Sequence, residues 1–115
     1  MSVPQLAELY WAQFESEARR PIIVVSRTDL NRGDYVVAVP LTAAKLEQRL
    51  NLPNTVPFRA GEFGLTKDCV AQCEAITFLE KCRLDPLPFA RLSDEVWRDV
   101  VRAVGNVICA DCEPT

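Results

Sequence analysis

The chain has 115 residues, the length of one domain able to bury roughly two-thirds of its unfolded surface around a single core. Hydrophobic residues make up 49% and charged residues 25%, a globular balance, and no apolar run approaches the roughly 18 residues of a membrane span. Net charge is −3 and histidine is absent, which excludes Ser-His-Asp triads, histidine dyads and His-ligated metals and leaves acid or base chemistry to carboxylates, Cys, Tyr, Lys, Arg or hydroxyls.

Met1 to Phe14 lacks a basic stretch followed by an apolar block, so no secretory signal is expected; a cytosolic location is, and disulfides are not. Within it, LAELYWAQF is ambiguous. Leu6, Leu9, Tyr10 and Phe14 suit a helical face, while Leu9/Trp11 and Tyr10/Phe14 also fit alternating strand faces. Pro21 then leads into Ile22 to Val25, a β-branched run that predicts a buried strand, with proline tolerated at its start. Asn31-Arg32-Gly33-Asp34 has turn chemistry, and Tyr35 to Pro40 (YVVAVP) predicts a second strand, antiparallel to the first.

AAKLEQRL predicts a helical turn or two, stopped by Asn51 and Pro53. TVPF predicts at best an interrupted edge strand, because Pro57 has no N–H for a ladder. Gly61 and Gly64 bracket a turn before CVAQCEAITFL, predicted as one strand over 69–79. Cys69, Ala71, Cys73 and Ala75 would form its small-residue face, and Val70, Gln72, Glu74 and Ile76 the other. The last element is a helix. Ser93 caps it, Leu92 and Trp97 are placed as a hydrophobic staple, Asp94 and Glu95 complement its positive end, and Val96, Trp97, Val100, Val101, Val104, Val107 and Ile108 mark one face.

Five cysteines invite a metal argument, but only Cys109 and Cys112 form a CxxC pair. Cys69 and Cys73 on an extended strand would lie about 13 Å apart, too far to share an ion without a bulge. The cysteines therefore read as buried small hydrophobes, with Cys109/Cys112 as a redox-sensitive pair. Charge is uneven: eight Lys/Arg against four acids between Arg19 and Lys67 give +4, and the remainder carries −7, a distribution compatible with a local phosphate site. Arg19 and Arg20 precede the first buried strand, beside a loop bearing Glu15, Ser16 and Glu17. They are placed either to hold a phosphate or to pair with those glutamates. Thr42 ends the second strand and offers either a hydroxyl beside Arg20 or an ordinary turn threonine.

Taken in order, RRPIIVVSR, the NRG turn, VVAVPLTA, GLTKDCVAQCEAIT, the KCRL segment and ARLSDEVWRDVVRAVGNVI make the chain resemble the MazF/PemK (Kid) toxin family over nearly its whole length. The resemblance implies that LAELYWAQF is a first strand. It implies a mainly β (α+β) fold, an SH3-like partly closed barrel of the CcdB/PemK type with a C-terminal helix, as one domain over 1–115 forming a homodimer. It further implies a type II toxin that cleaves single-stranded mRNA sequence-specifically, without metal or other cofactor, through attack of the 2′-OH on the adjacent phosphate, and that a cognate antitoxin peptide holds inactive.

Carried onto this sequence, the family pattern puts Arg20 at the catalytic arginine, as electrostatic stabiliser and acid. Thr42 becomes the hydroxyl on the scissile phosphate, and Glu15 or Glu17 the base. The accompanying RNA-contacting set is Arg19, Arg27, Asn31, Arg32 and Glu74. The chain also departs from the family. Its first loop is several residues shorter and lacks G-x-E-Q, and Ala75 and Thr77 stand where Gln and Arg are common. The alternatives are a non-catalytic protein-binding toxin on the same barrel, as in the CcdB toxins that poison gyrase, or a degenerate member with little nuclease activity.

Overall fold

Ile22, Ile23 and Val24 cannot all point to one side of a pleated strand, so a strand built from them must be covered on both faces. The computed structural model, which describes residues 3–15 and 18–108, shows how this is done. In chain order the strands are β1 (Glu8–Gln13), β2 (Arg19–Val24), β3 (Tyr35–Thr42), β4 (Thr55–Phe58), β5 (Cys69–Gln72), β6 (Thr77–Glu80) and β7 (Ala90–Arg91); the helices are α1 (Leu46–Arg49) and α2 (Asp94–Ile108). All pairings are antiparallel, in the order β4-β5-β3-β2-β1-β7, with β6 beside the other half of β3. The sheet curls into a partly closed barrel with α2 packed against β4 and the segment after β5.

Leu9, Ile23, Val39 and Leu41 face one side, where they meet Val56, Phe58, Cys73, Val100 and Ala103 in the larger core. Tyr10, Ala12, Ile22, Val24, Val36 and Ala38 face the other, with Leu79 and partly buried Phe14 and Leu84. Burial on both faces settles LAELYWAQF as a strand. Paired with β2 on one side and β7 on the other, it hides Leu9, Tyr10 and Ala12 at once, which a helix with one apolar stripe would not. β4 is an edge strand paired only with β5, as Pro57 requires, and α1 occupies the short helical stretch expected before Asn51.

The strand predicted over 69–79 is broken, and this is a correction. A 3₁₀ turn, Cys73–Ala75, separates β5 from β6. Leu41 pairs with Ala71 and Ala38 with Thr77, so three steps along β3 are matched by six along the stretch from β5 to β6. The surplus resets the alternation of side chains. Cys69, Ala71 and Cys73 keep the core side, Ile76 joins them there, and Glu74 leaves the ladder for the surface.

Helix α2 packs through most of its predicted face, with Val96, Trp97, Val104 and Val107 against the core around Val100, and departs from it at two positions. Ser93 caps it, accepting from Val96 N at 3.3 Å, but the fully covered side chains are Val100 and Ala103, while Val101 is 50% and Ile108 64% exposed. A small alanine can sit closest to the sheet, which lets the helix approach on the Val100/Ala103 line and leaves Val101 at the flank.

Candidate functional site

Strands β2 and β3 stay paired as far as Ile22 and Pro40. One further two-residue step in that register sets Arg20 opposite Thr42. Pro40 has no N–H to extend the ladder, and β3 moves across to pair Leu41 with Ala71 and Thr42 with Val70. Where β2 and β3 part, a cavity of about 250 Å³ opens, lined by Arg19 and Arg20 from β2, Leu41 and Thr42 from β3, Trp11 from β1, and Thr66 and Lys67 from the loop before β5. Arg20 and Thr42 thus share one recess.

The cavity is strongly cationic. The Arg20 guanidinium lies 6.0 Å from the centroid of Phe14, and among the described residues no carboxylate pairs with it. Arg19 is held differently, by an ion pair with Asp85 and by the Trp11 ring 6.0 Å away. Lys67 is delivered by a loop that two glycines at positive φ, Gly61 (97°) and Gly64 (75°), allow to turn tightly. Asp68 and Glu62 secure that loop by accepting from the backbone N–H groups of Ala60 (2.8 Å) and Arg59 (2.7 Å). Thr42 Oγ1 accepts from Ala44 N at 3.2 Å and from Arg49 Nη1 at 3.5 Å. Clustered cations with hydroxyls are suited to binding a phosphodiester.

Glu74 is not in the cavity. Its carboxylate, at the end of β5, accepts from Asn54 Nδ2 (2.6 Å) and Gln72 Nε2 (2.9 Å). Partial burial pushes this carboxyl up, but the hydrogen bonds from Gln72, its own backbone and Asn54, with the nearby Arg49 charge, outweigh that and hold it below the usual carboxylate range.

The remaining expected residues lie elsewhere. Glu15 lines a neighbouring depression with Phe14, Tyr35, Phe78 and Arg83, its carboxylate 3.9 Å from the Arg83 guanidinium, so it is not a wall of the Arg20–Thr42 cavity. Glu17, Cys109 and Cys112 fall outside the described residues. Arg27, Asn31 and Arg32 sit at the hairpin joining β2 to β3, the end of those strands opposite Arg20 and Thr42. Arg27 pairs with Asp29 at 3.6 Å.

Asn31 needs correcting as an RNA contact: it is 0% exposed, and its amide donates to Pro4 O (3.0 Å) and Ser26 O (3.1 Å) while accepting from the Ser26 hydroxyl. Turn propensity alone cannot tell an asparagine that caps a loop outward from one that ties it inward. Cys69 and Cys73 are buried as expected, each thiol pushed up to about 11, chiefly by burial, whereas Cys82 is exposed. Among the described residues no group of three metal-ligating side chains comes together.

Sequence reasoning did not single out Trp11, Thr66, Lys67 or Arg49. Lys67 carried a signal, a cation immediately before a strand in GLTKDCV. Trp11 carried none beyond an aromatic in an alternating pattern.

A curled antiparallel sheet closed by one C-terminal helix, with arginine, lysine and threonine converging where two strands part, defines a small β-barrel with a cationic cleft. The sequence profile of the family described as PemK-like, MazF-like toxin of type II toxin-antitoxin system matches residues 6–108, and the chain belongs to that family. Among solved structures, the Mycobacterium tuberculosis toxin MazF-mt6 is 21% identical, with a TM-score of 0.77 over 91% of this chain and 99% of that one. An endoribonuclease in complex with its cognate antitoxin, from a mycobacterial species, is 20% identical, with a TM-score of 0.78 over 96% and 99%. A MazE–MazF complex from Deinococcus radiodurans is 22% identical, with a TM-score of 0.74 over 94% and 97%. At these identities the likeness is one of fold. Comparison with curated proteins gives no significant sequence match.

Proposed function

We propose that the chain is a single toxin domain over 1–115 that cleaves single-stranded mRNA in the cytoplasm, sequence-specifically and without a metal. The observation that carries this reading is the shared cavity of Arg20 and Thr42. In the proposed reaction the ribose 2′ oxygen attacks the adjacent phosphorus and the bond to the 5′ oxygen breaks. A 2′,3′-cyclic phosphate and a 5′-hydroxyl result. Arg20 donates to the non-bridging oxygens as negative charge grows on the phosphorane, and to the departing 5′ oxygen. Thr42 and Lys67 anchor the same phosphate, and Glu17, between β1 and β2, takes the 2′-OH proton, Glu15 being set beside Arg83 in the neighbouring depression. Arg19 flanks the cavity as a further RNA contact, and Glu74 reads a base edge beyond it. Arg27 and Arg32, at the far hairpin, would engage RNA only if the strand ran the length of β2.

The solved complexes, one of an endoribonuclease with its cognate antitoxin and one of MazE with MazF, support an antitoxin as the regulating partner, one whose peptide would cover the cationic cleft. A homodimer is supported by apolar surface left open on one chain: Phe78 is 67% exposed and stacks on Tyr35, and Leu30 is 60% exposed. The direct test is primer extension on a defined mRNA with wild type and Arg20→Ala. Discrete cuts ending in cyclic phosphate that vanish in the variant are expected. Equal cutting by both would remove Arg20 from the mechanism, and no cutting by either would remove the nuclease.

A further inference from the structure

The geometry points to Arg49 as a positioning residue of the cleavage site, one that acts through the Thr42 hydroxyl. This rests on the nuclease reading above and assigns a role to a side chain outside the cavity wall. Arg49 ends α1, a single helical turn framed by left-handed Lys45 (φ 51°) and Asn51 (φ 68°), conformations that force the chain to double back toward β3. Its carbonyl is tied down by the Thr55 hydroxyl at 2.7 Å, and its guanidinium donates to Ala44 O at 2.9 Å and reaches Thr42 Oγ1 at 3.5 Å.

A threonine hydroxyl has one proton to give and two lone pairs to receive. At Thr42 both acceptor positions face donors, the Ala44 N–H and the Arg49 guanidinium. The Thr42 O–H is therefore left to donate, and the open direction is the cavity it lines with Arg20. A hydroxyl without those donors would sample several rotations and give up that freedom each time a phosphate oxygen arrived to accept its proton. Arg49 thus presets Thr42 as a donor to an anion, and does so with a charged group that strengthens the donation. The Arg49 charge also acts on Glu74, whose carboxylate is tied to Asn54 and Gln72.

Steady-state cleavage of a fixed RNA, with kcat and KM separated, tests this with Arg49→Met, Arg49→Lys, Thr42→Val and the double variant Thr42→Val/Arg49→Met. Arg49→Met is expected to lower kcat about tenfold with KM within twofold, as for one hydrogen bond from a charged donor. Arg49→Lys should recover most of the loss. The double variant should be no worse than Thr42→Val alone, because a residue that acts through Thr42 has nothing to act on once the hydroxyl is gone. Losses that multiply in the double variant, or a rise in KM with kcat unchanged, would show Arg49 binding RNA independently and overturn the proposal. A thermal melt accompanies each variant; if Arg49→Met is unfolded at the assay temperature, the Arg49→Lys comparison in the presence and absence of the Thr42 hydroxyl decides. Wild-type protein that leaves RNA uncut defeats the nuclease reading itself and this assignment with it, whereas cutting that ignores Arg49 defeats only the assignment.

Discussion

Replacing Asn31 with alanine should unfold this protein at a much lower temperature while leaving its RNA chemistry intact in the fraction that stays folded. The side chain is wholly buried and makes three hydrogen bonds: two donated by its amide, to Pro4 O and Ser26 O, and one accepted from the Ser26 hydroxyl. At a net of about 1 kcal/mol each, truncation costs about 3 kcal/mol, and more if the abandoned carbonyls find no water. With about 2.1 cal/mol/K of unfolding entropy per residue, the 115-residue chain has roughly 240 cal/mol/K at its midpoint, so the melt should fall by about 12 °C. Asn31→Asp should be worse than Asn31→Ala, because it keeps the shape but sets a buried anion against two carbonyl oxygens. Differential scanning calorimetry reads both, and RNA affinity measured well below the lowered midpoint completes the test. A shift under about 3 °C would refute the hydrogen-bond accounting. A normal melt with lost RNA affinity would return Asn31 to the nucleic-acid surface.

Other outcomes follow from the same structure. Arg20→Lys should recover little of the cleavage lost in Arg20→Ala, with kcat down roughly a hundredfold in each, because a point charge does not reproduce two in-plane donors on a phosphorane; initial-rate assays on a short RNA would show it. Val100→Ala, at the contact between α2 and the sheet, should cost about 2 kcal/mol in urea unfolding with an unchanged m-value, whereas Val101→Ala, half exposed at the flank, should cost under about 0.5. The buried thiols of Cys69 and Cys73 ionise near 11 when folded, against about 9 when unfolded, so both are neutral in the native state below pH 9. Stability is then full below pH 9 and declines as pH rises from 9 to 11, where only the unfolded chain gains by losing protons. Urea midpoints across that range should fall, and Cys73→Ala should flatten the decline. At neutral pH an alkylating reagent should label exposed Cys82 within minutes and leave Cys69 and Cys73 untouched until unfolding.

Local chemistry carried much of this fold. The β-branched runs in β2 and β3, the proline that confines β4 to an edge, the Ser93 cap and the short helix before Asn51 all follow from interactions spanning a few residues, and all are present. The order of motifs was enough to place the family, and Arg20 and Thr42 came forward as site candidates through the same pattern. Positions that depend on what packs across a gap were not legible. Ala103 and Val101 are both apolar residues on one helix, and only the distance of closest approach to the sheet decides which is covered.

Register was decided in three dimensions throughout. Cys69 to Leu79 alternates well enough to read as one strand, yet pairing with β3 at both ends forces three residues out between the halves, and that excursion carries Glu74 away from the ladder. Asn31 is a turn residue by composition and a buried tie by structure, because the N-terminal segment at Pro4 arrives to receive its amide. The cavity itself exists because β3 leaves β2 for β5 just where Arg20 and Thr42 come opposite each other. Amino-acid preferences act over a turn or a strand and so could specify the elements. The cleft is made by the divergence of strands distant in sequence, and hydrogen-bond pairing and packing between them are settled only when the whole chain closes on itself.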